Sequence, residues 1–132
     1  MSLRRKSREF ALQMLFEWDM TRQNPAQVEH LFWKSAHAAD TTRKFANQLF
    51  EGAIAEADST DQLIAKLSEN WRLERLSVVD RSILRLAIYE LHSGTAPPKV
   101  VIDEALELAK VFSSAEAPAF LNGILDAAYK GL

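Results

Sequence analysis

The sequence ILRLAIYEL, residues 83–91, is strongly apolar but contains two charged side chains, Arg85 and Glu90. Its apolar side chains cover most sides of a helix, and only a helix surrounded by other helices can bury so wide a surface. We therefore predict that this segment is the central helix of an all-α protein. Arg85 and Glu90 would then be internal, and we interpret them as polar groups that specify the fold.

The residues that flank this segment predict where the central helix begins and ends. Ser77 is followed three residues later by Asp80, which resembles a capping box with Asp in place of the usual Glu. On the other side, Gly94 can end the helix in a left-handed conformation. Pro97 and Pro98 cannot continue the helix, so residues 93–98 are predicted to be a loop.

Farther from the central segment, apolar residues recur at helical spacing in both directions, and strand-like alternation is hard to find. The breaks between these stripes predict about seven helices, with no repeat and no linker. Packed against one another, such helices form a multi-helix domain. Four helix starts are predicted in chain order: Asn24 as a cap with Pro25 at the first helical position, a start after Asp40 or Thr41, a cap at Ser59 or Thr60, and Pro118 opening the last helix.

Composition and length narrow the class of protein. A chain of 132 residues is expected to form one domain, here residues 1–132. The absence of cysteine excludes disulfides and cysteine-ligated zinc or iron–sulfur sites. No apolar run approaches the ~20 residues of a membrane span, and no secretory signal follows the charged start. The cytoplasm is therefore the expected compartment.

The chain offers no recognisable catalytic arrangement. It has no glycine-rich phosphate loop, no nucleophile elbow and no thiol, and its three histidines form no metal-ligand motif. Asp103, Glu104 and Glu107 share one predicted helix, but acid–base catalysis would need two carboxyl groups held in a cleft. We interpret the first two as acidic residues that favour a helix start, and Glu107 as the partner of Lys110. The sequence predicts a protein without enzymatic activity, cofactor or metal.

Four of the 16 basic residues fall within the first eight positions, namely Arg4, Arg5, Lys6 and Arg8. The other 12 face 18 acidic residues, so a basic tip precedes an acidic body. Cations are disfavoured at the start of a helix, where backbone N–H groups already carry partial positive charge. The same arrangement favours a phosphate backbone. From charge alone, nucleic-acid binding and a frayed basic arm that keeps the protein soluble both remain open.

Aromatic side chains offer a second indication, because unpaired bases stack on them. Phe120 begins the last predicted helix beside a loop, so it could stack on a base or pack against its own helix. Trp18, Trp33 and Trp71 are predicted to fill the core or its edge.

Four stretches together resemble the NusB family of transcription antitermination factors. Each alone would be weak, but their order and separation over the full length are specific. They are RRKSRE at residues 4–9 with Ala11, Gln13, Leu15 and Trp18; ILRLAIYEL at 83–91; KVVIDEALELAKVF at 99–112; and FLNGILD at 120–126.

The resemblance implies a fold of two packed three-helix bundles with one additional helix. It also implies a function. Proteins of this family bind the boxA sequence in nascent, single-stranded RNA together with NusE, a ribosomal small-subunit protein. The complex joins RNA polymerase and other Nus factors and suppresses termination, notably in ribosomal RNA operons.

Positions that match the family imply roles for particular residues. An acidic patch would suit a basic ribosomal protein and would mainly set association rate and specificity. The implied RNA contacts are Arg4, Arg5, Lys6 and Arg8, with Glu116 and Phe120 beside the same RNA, and the implied NusE contacts are Phe16, Glu74 and Asp80.

Some positions depart from the family pattern. Phe16 stands where a tyrosine is often found, so a hydroxyl hydrogen bond to NusE would be missing. Ser113-Ser114 replaces a turn that contains glycine, Ala119 stands where a basic residue can occur, and Pro118 stiffens the same loop. These changes affect the implied RNA contacts of the loop at residues 113–119 but not those of the basic tip. Asn122-Gly123 is interpreted as structural, with the glycine allowing a neighbouring backbone to approach.

Two other classes of protein are consistent with the same helices. A related domain precedes the catalytic domain of some ribosomal RNA cytosine methyltransferases, but such an enzyme needs nucleophilic cysteines, so this alternative requires the sequence to be a fragment. A protein scaffold that never contacts RNA is the other. Family members occur as monomers and as homodimers, so the resemblance leaves the oligomeric state open.

Overall fold

The structure is a computed structural model that describes residues 3–68 and 76–131, and within these residues the chain forms seven α-helices and no strand. In chain order the helices are α1 (Leu3–Thr21), α2 (Pro25–Ser35), α3 (Asp40–Ala55), α4 (Ala57–Leu67), α5 (Val78–Ser93), α6 (Pro98–Phe112) and α7 (Ala117–Lys130). The predicted all-α class is confirmed.

Helix α5 lies at the centre of the fold, as its sequence predicts. It packs against α1 and α3 on one side and against α6 and α7 on the other, and α4 contacts both α5 and α7. Helices α1–α3 form one three-helix group and α5–α7 form the second, with α4 as the additional helix. The charged residues of α5 that were predicted to be internal, Arg85 and Glu90, are both buried.

Local sequence signals account for several helix ends. Asn24 caps α2 by accepting a hydrogen bond from the backbone N–H of Ala26, and Ser77 caps α5 by accepting one from Asp80. Gly94 ends α5 with a φ of 69°, in the left-handed region that a side chain rarely adopts. These three predictions are confirmed.

Two expectations about local structure are wrong. Helix α4 begins at Ala57, not after Ser59 or Thr60, because Glu56 alone separates it from α3 and no side chain caps it. Gly123 is exposed, and nothing lies within 4 Å of the place where its Cβ would be, so it allows no close approach. The glycine that does so is Gly52, where a Cβ would collide with the ring of Tyr89.

None of the helices in the described ranges is both long and apolar enough to cross a bilayer. Trp18 and Trp33 are partly buried against the core, as predicted. Trp71 lies outside the described residues, so the same prediction is not tested for it.

Candidate nucleic-acid interface

The start of α1 presents three basic side chains of the predicted tip at or near the surface. Arg4 and Lys6 are exposed, and Arg5 is partly exposed. The first turn of α1 contains no acidic residue, so the positive end of the helix dipole is not neutralised from within the helix. This end of the molecule therefore combines side-chain cations with the positive end of the helix dipole, which favours an anionic ligand.

Contacts with α3 and with the loop after α5 hold Arg4 in place, and a residue of α1 itself holds Lys6. Arg4 donates a hydrogen bond of 3.2 Å from Nη1 to the carbonyl oxygen of Thr95, and its Cζ lies 4.6 Å from the centre of the Phe45 ring. Lys6 Nζ lies 3.6 Å from a carboxylate oxygen of Glu9. An aromatic face attracts a cation while leaving its N–H groups available on the outer side. The tip is therefore positioned by tertiary contacts.

Arg5 binds Glu104 of α6 side-on, with Nε 2.9 Å and Nη2 3.0 Å from the two carboxylate oxygens. The hydrogen bond from Arg5 lowers the pKa of Glu104, against a smaller opposing effect of burial, so the carboxylate stays charged. Glu104 was interpreted only as a helix-start residue, and its partner 99 residues away could not be read from spacing. The other sequence interpretation on α6 is confirmed, since Lys110 lies 3.0 Å from Glu107.

Arg8 does not belong to the exposed tip, and the expectation that it does is wrong. Its side chain is 4% exposed and donates three hydrogen bonds of 2.9–3.2 Å to the buried carboxylate of Glu90. The hydroxyl of Thr95 donates a further one of 2.7 Å to the same carboxylate. A guanidinium that is buried and paired in this way cannot meet a phosphate, so Arg8 fixes α1 against α5 instead.

The start of α7 lies close to Arg5. A groove of about 580 Å³ runs between α6 and α7, with Arg5 on one side and Pro118, Ala119 and Asn122 of α7 on the other. Glu116 is exposed just before α7 begins, whereas Phe120 is partly buried against the core. The structure thus brings the tip close to the start of α7, and neither Glu116 nor Phe120 is among the described residues that line this groove.

The residues implied for a protein partner lie at another site. Phe16 lines an apolar groove of about 340 Å³ together with Phe32, Val79 and Phe112. Asp80, next to Val79, accepts a hydrogen bond of 2.6 Å from Ser113 Oγ, so Ser113-Ser114 has a contact in this fold. Glu74 lies outside the described residues. Val79 and Phe112 were not predicted to line a binding groove, because apolar residues at their helical spacing are read as core residues.

The sequence of this chain is similar to those of known proteins. Residues 5–130 match the NusB family. The chain belongs to the NusB family. A relative from Koribacter versatilis (strain Ellin345), named transcription antitermination protein NusB, is 47% identical over 131 residues, which cover 98% of this chain and 90% of the relative.

Solved structures agree with this membership of the NusB family. The structure of T. maritima NusB superposes with a TM-score of 0.86 at 34% identity and covers 96% of this chain and 90% of its own. A second match is the crystal structure of the antitermination factors NusB and NusE in complex with dsRNA. It has a TM-score of 0.89 at 27% identity and covers 100% of this chain and 99% of that one.

Proposed function

We propose that this chain is a transcription antitermination factor that binds boxA RNA in nascent transcripts together with NusE. The complex joins RNA polymerase and other Nus factors, notably on ribosomal RNA operons. The name of the NusB relatives supports the process, and the NusB structure solved with NusE and RNA supports the two partners. The protein acts by binding, without catalysis, as one RNA-binding helical domain in the cytoplasm.

The observation that carries this proposal is the basic start of α1. Arg4, Arg5 and Lys6 present N–H donors at the positive end of the α1 helix dipole, where no acidic residue lies in the first turn. Phosphate contacts position a nucleic acid without reading its sequence, so these residues would set affinity and salt dependence. Glu116 and Phe120, close in sequence to the α7 residues that line the groove with Arg5, would lie beside the bases. In this revised assignment Arg8 supports the tip from inside.

The proposal assigns NusE to the groove that contains Phe16, with Asp80 and Glu74 as its acidic contribution. Apolar side chains would supply contact area, and the carboxylates would attract a basic ribosomal protein. The two partner surfaces occupy separate parts of the chain, so RNA and NusE can be bound together. A homodimer that covered either surface would compete with that partner.

The deciding experiment is fluorescence anisotropy of a short labelled boxA RNA titrated with this protein, with and without NusE, beside a scrambled RNA. We expect selective binding to boxA that tightens when NusE is present. Weak and unselective binding that NusE does not change would contradict the proposal. It would favour instead a scaffold that never contacts RNA.

The assignment of NusE can be tested by its own variant. Asp80→Asn removes the charge and keeps an oxygen that can accept the hydrogen bond from Ser113. We expect slower association with NusE at low salt, since charge near an interface mainly affects the on-rate. Asp58→Asn, an exposed residue of α4, is the matched control. Equal on-rates for the two variants would argue against Asp80.

A further inference from the structure

A groove between α2 and α3 carries cations that no carboxylate neutralises. Most basic side chains in the described residues lie within 4 Å of an acidic group, Arg5 and Arg81 among them. Lys34 of α2 and Arg43 of α3 are exposed, and neither has such a partner within residues 3–68 and 76–131. Both line the same groove, which has a volume of about 440 Å³. An unneutralised pair of cations in a concave site attracts an anion.

An aromatic side chain is fixed between these cations. The indole N–H of Trp33 donates a hydrogen bond of 2.8 Å to Asn47 Oδ1, and the Trp33 ring packs edge-to-face on Phe10 and Phe32. Arg43 Cζ lies 5.1 Å from the centre of the Trp33 ring. A guanidinium that rests on an aromatic ring is held flat, and its outer plane and N–H edges can meet a base and a phosphate.

The groove continues the basic tip of α1. Ser7 Oγ donates a hydrogen bond of 3.0 Å to the carbonyl oxygen of Thr42, which places the residue after Lys6 against the residue before Arg43. Lys6 Nζ in turn lies 5.0 Å from the centre of the Phe10 ring, which contacts Trp33. Two cations, Lys6 and Arg43, therefore flank two contacting rings, Phe10 and Trp33, at steps of about 5 Å from the tip across to α3.

Among the described residues, Glu29 is the one acidic side chain that lines this groove. Burial, with a hydrogen bond to Glu51 and repulsion from it, raises the pKa of Glu29 to about 8. At neutral pH Glu29 and Glu51 consequently share about one negative charge, against the two positive charges of Lys34 and Arg43. The cations therefore set the sign of the groove's electrostatic potential.

We propose that single-stranded RNA bound at the tip of α1 continues across the α2–α3 groove, where Arg43 and Lys34 contact its phosphates and the Arg43–Trp33 stack receives a base. This inference rests on the proposed function, because it extends the path of the same RNA. It adds a second subsite, separated from the groove between α6 and α7 by the body of α1. The extension would raise affinity without adding sequence preference, as stacking and phosphate contacts do in single-strand binding.

The test compares RNAs that differ only in length. The boxA RNA is used alone, or with about six uridines added at its 5′ end or at its 3′ end, a length within the range of a single-strand subsite. Affinity for the full chain with NusE is measured across salt concentrations. The variants are Arg43→Gln and Lys34→Gln, with Lys66→Gln as the control, because Lys66 is exposed on α4 and also lacks a carboxylate partner among the described residues.

We expect one of the two extensions to tighten binding by the wild-type protein. Arg43→Gln and Lys34→Gln should each weaken binding of that longer RNA and lower its salt slope by about 0.7, the value for one single-strand phosphate contact, so the loss should be about threefold greater at 50 mM than at 200 mM salt. They should leave the unextended boxA RNA unchanged, and Lys66→Gln should change neither. Arg43→Lys should keep the salt slope but lose part of the affinity, since Lys cannot stack as a plane.

Two results would overturn the inference. One is that neither extension tightens binding by the wild-type protein. The other is that Arg43→Gln weakens every RNA equally, which would mark a general loss of charge or of folding. Both can occur while boxA selectivity persists, so they leave the proposed function intact. A wild-type protein that does not select boxA would instead overturn the proposed function, and this inference with it.

Discussion

Arg5 and Arg8 lie one helical turn apart on α1, and each binds a glutamate side-on through Nε and Nη2 at 2.9–3.0 Å. The two ion pairs differ in burial. The Arg5 side chain is 40% exposed beside Glu104, whereas the Arg8 side chain is 4% exposed beside Glu90. Two arginines, each paired with a glutamate, therefore have different roles. The buried pair joins α1 to α5, and the exposed pair orients a guanidinium at the surface.

The physical reason is solvation. A buried ion pair has lost its hydration, so removing one partner leaves an uncompensated charge in the core. An exposed pair is screened by water and contributes little to stability. It still restricts the conformation of the Arg5 side chain, of which Glu104 binds Nε and Nη2. Variants that affect stability and RNA binding separately test this difference between the two ion pairs.

The largest effect should come from Arg8→Ala. It leaves the Glu90 carboxylate buried without its counter-charge, and we expect the free energy of unfolding to fall by about 3–5 kcal/mol. Urea denaturation measures this loss. Arg5→Ala serves as the control and should change the free energy of unfolding far less, because the exposed pair is screened by water. Equal losses for the two variants would remove the distinction between the pairs.

Arg5→Ala should weaken RNA binding and leave stability almost unchanged. If Arg5 contacts one phosphate of a single strand, its loss lowers the salt slope of binding by about 0.7, so the weakening of binding should be about threefold greater at 50 mM than at 200 mM salt. Anisotropy titrations of boxA RNA over that range measure both quantities. An unchanged slope would show that Arg5 serves only to hold Glu104.

Glu104→Gln should have a smaller and opposite effect. Glutamine keeps an oxygen that can accept a hydrogen bond from Arg5, but it removes the negative charge that competes with a phosphate. We expect RNA affinity to rise about twofold, corresponding to the ~0.5 kcal/mol of an exposed pair. Asp126→Asn, on α7 beside Lys130, is the matched control and should leave the affinity unchanged. A loss of affinity in Glu104→Gln would mean that orientation of Arg5 outweighs its neutralisation.

The smallest effect is the pH dependence of this exposed pair. Arg5 lowers the pKa of Glu104 below its ordinary value of 4.5, so the folded state holds the ionised carboxylate more firmly than the unfolded chain does. The stabilisation is present above pH 4.5 and is lost as the pH falls through the lowered pKa. Thermal unfolding of Glu104→Gln should lack this part of the acid destabilisation, a few tenths of a kcal/mol. Identical acid profiles would contradict the sign.

How far the sequence predicts this protein depends on how local each cause is. Asn24, Ser77 and Gly94 act on their own helix ends within three residues, so their roles follow from short patterns. The start of α4 was misplaced because Glu56 gives no capping signal. Gly123 was misread, and Gly52 was overlooked, because only the position of the Tyr89 ring shows which glycine is needed.

The candidate site divides in the same way. The charge of the first eight residues could be counted, but which of those charges faces water could not. Arg8 meets Glu90 across 82 positions and Arg5 meets Glu104 across 99, so no spacing rule connects them. The α2–α3 groove likewise depends on Trp33, which the sequence presents as an ordinary core residue.

Periodicity, capping and charge are properties of neighbouring residues. The amino-acid sequence was therefore enough to predict the helices, the central position of α5 and a basic tip on an acidic chain. Which arginine is a buried structural ion and which is a surface group depends on the tertiary structure. Burial is set by the helices that pack around a side chain, and those come from distant parts of the chain. A guanidinium in α1 is therefore assigned its role by α5 and α6.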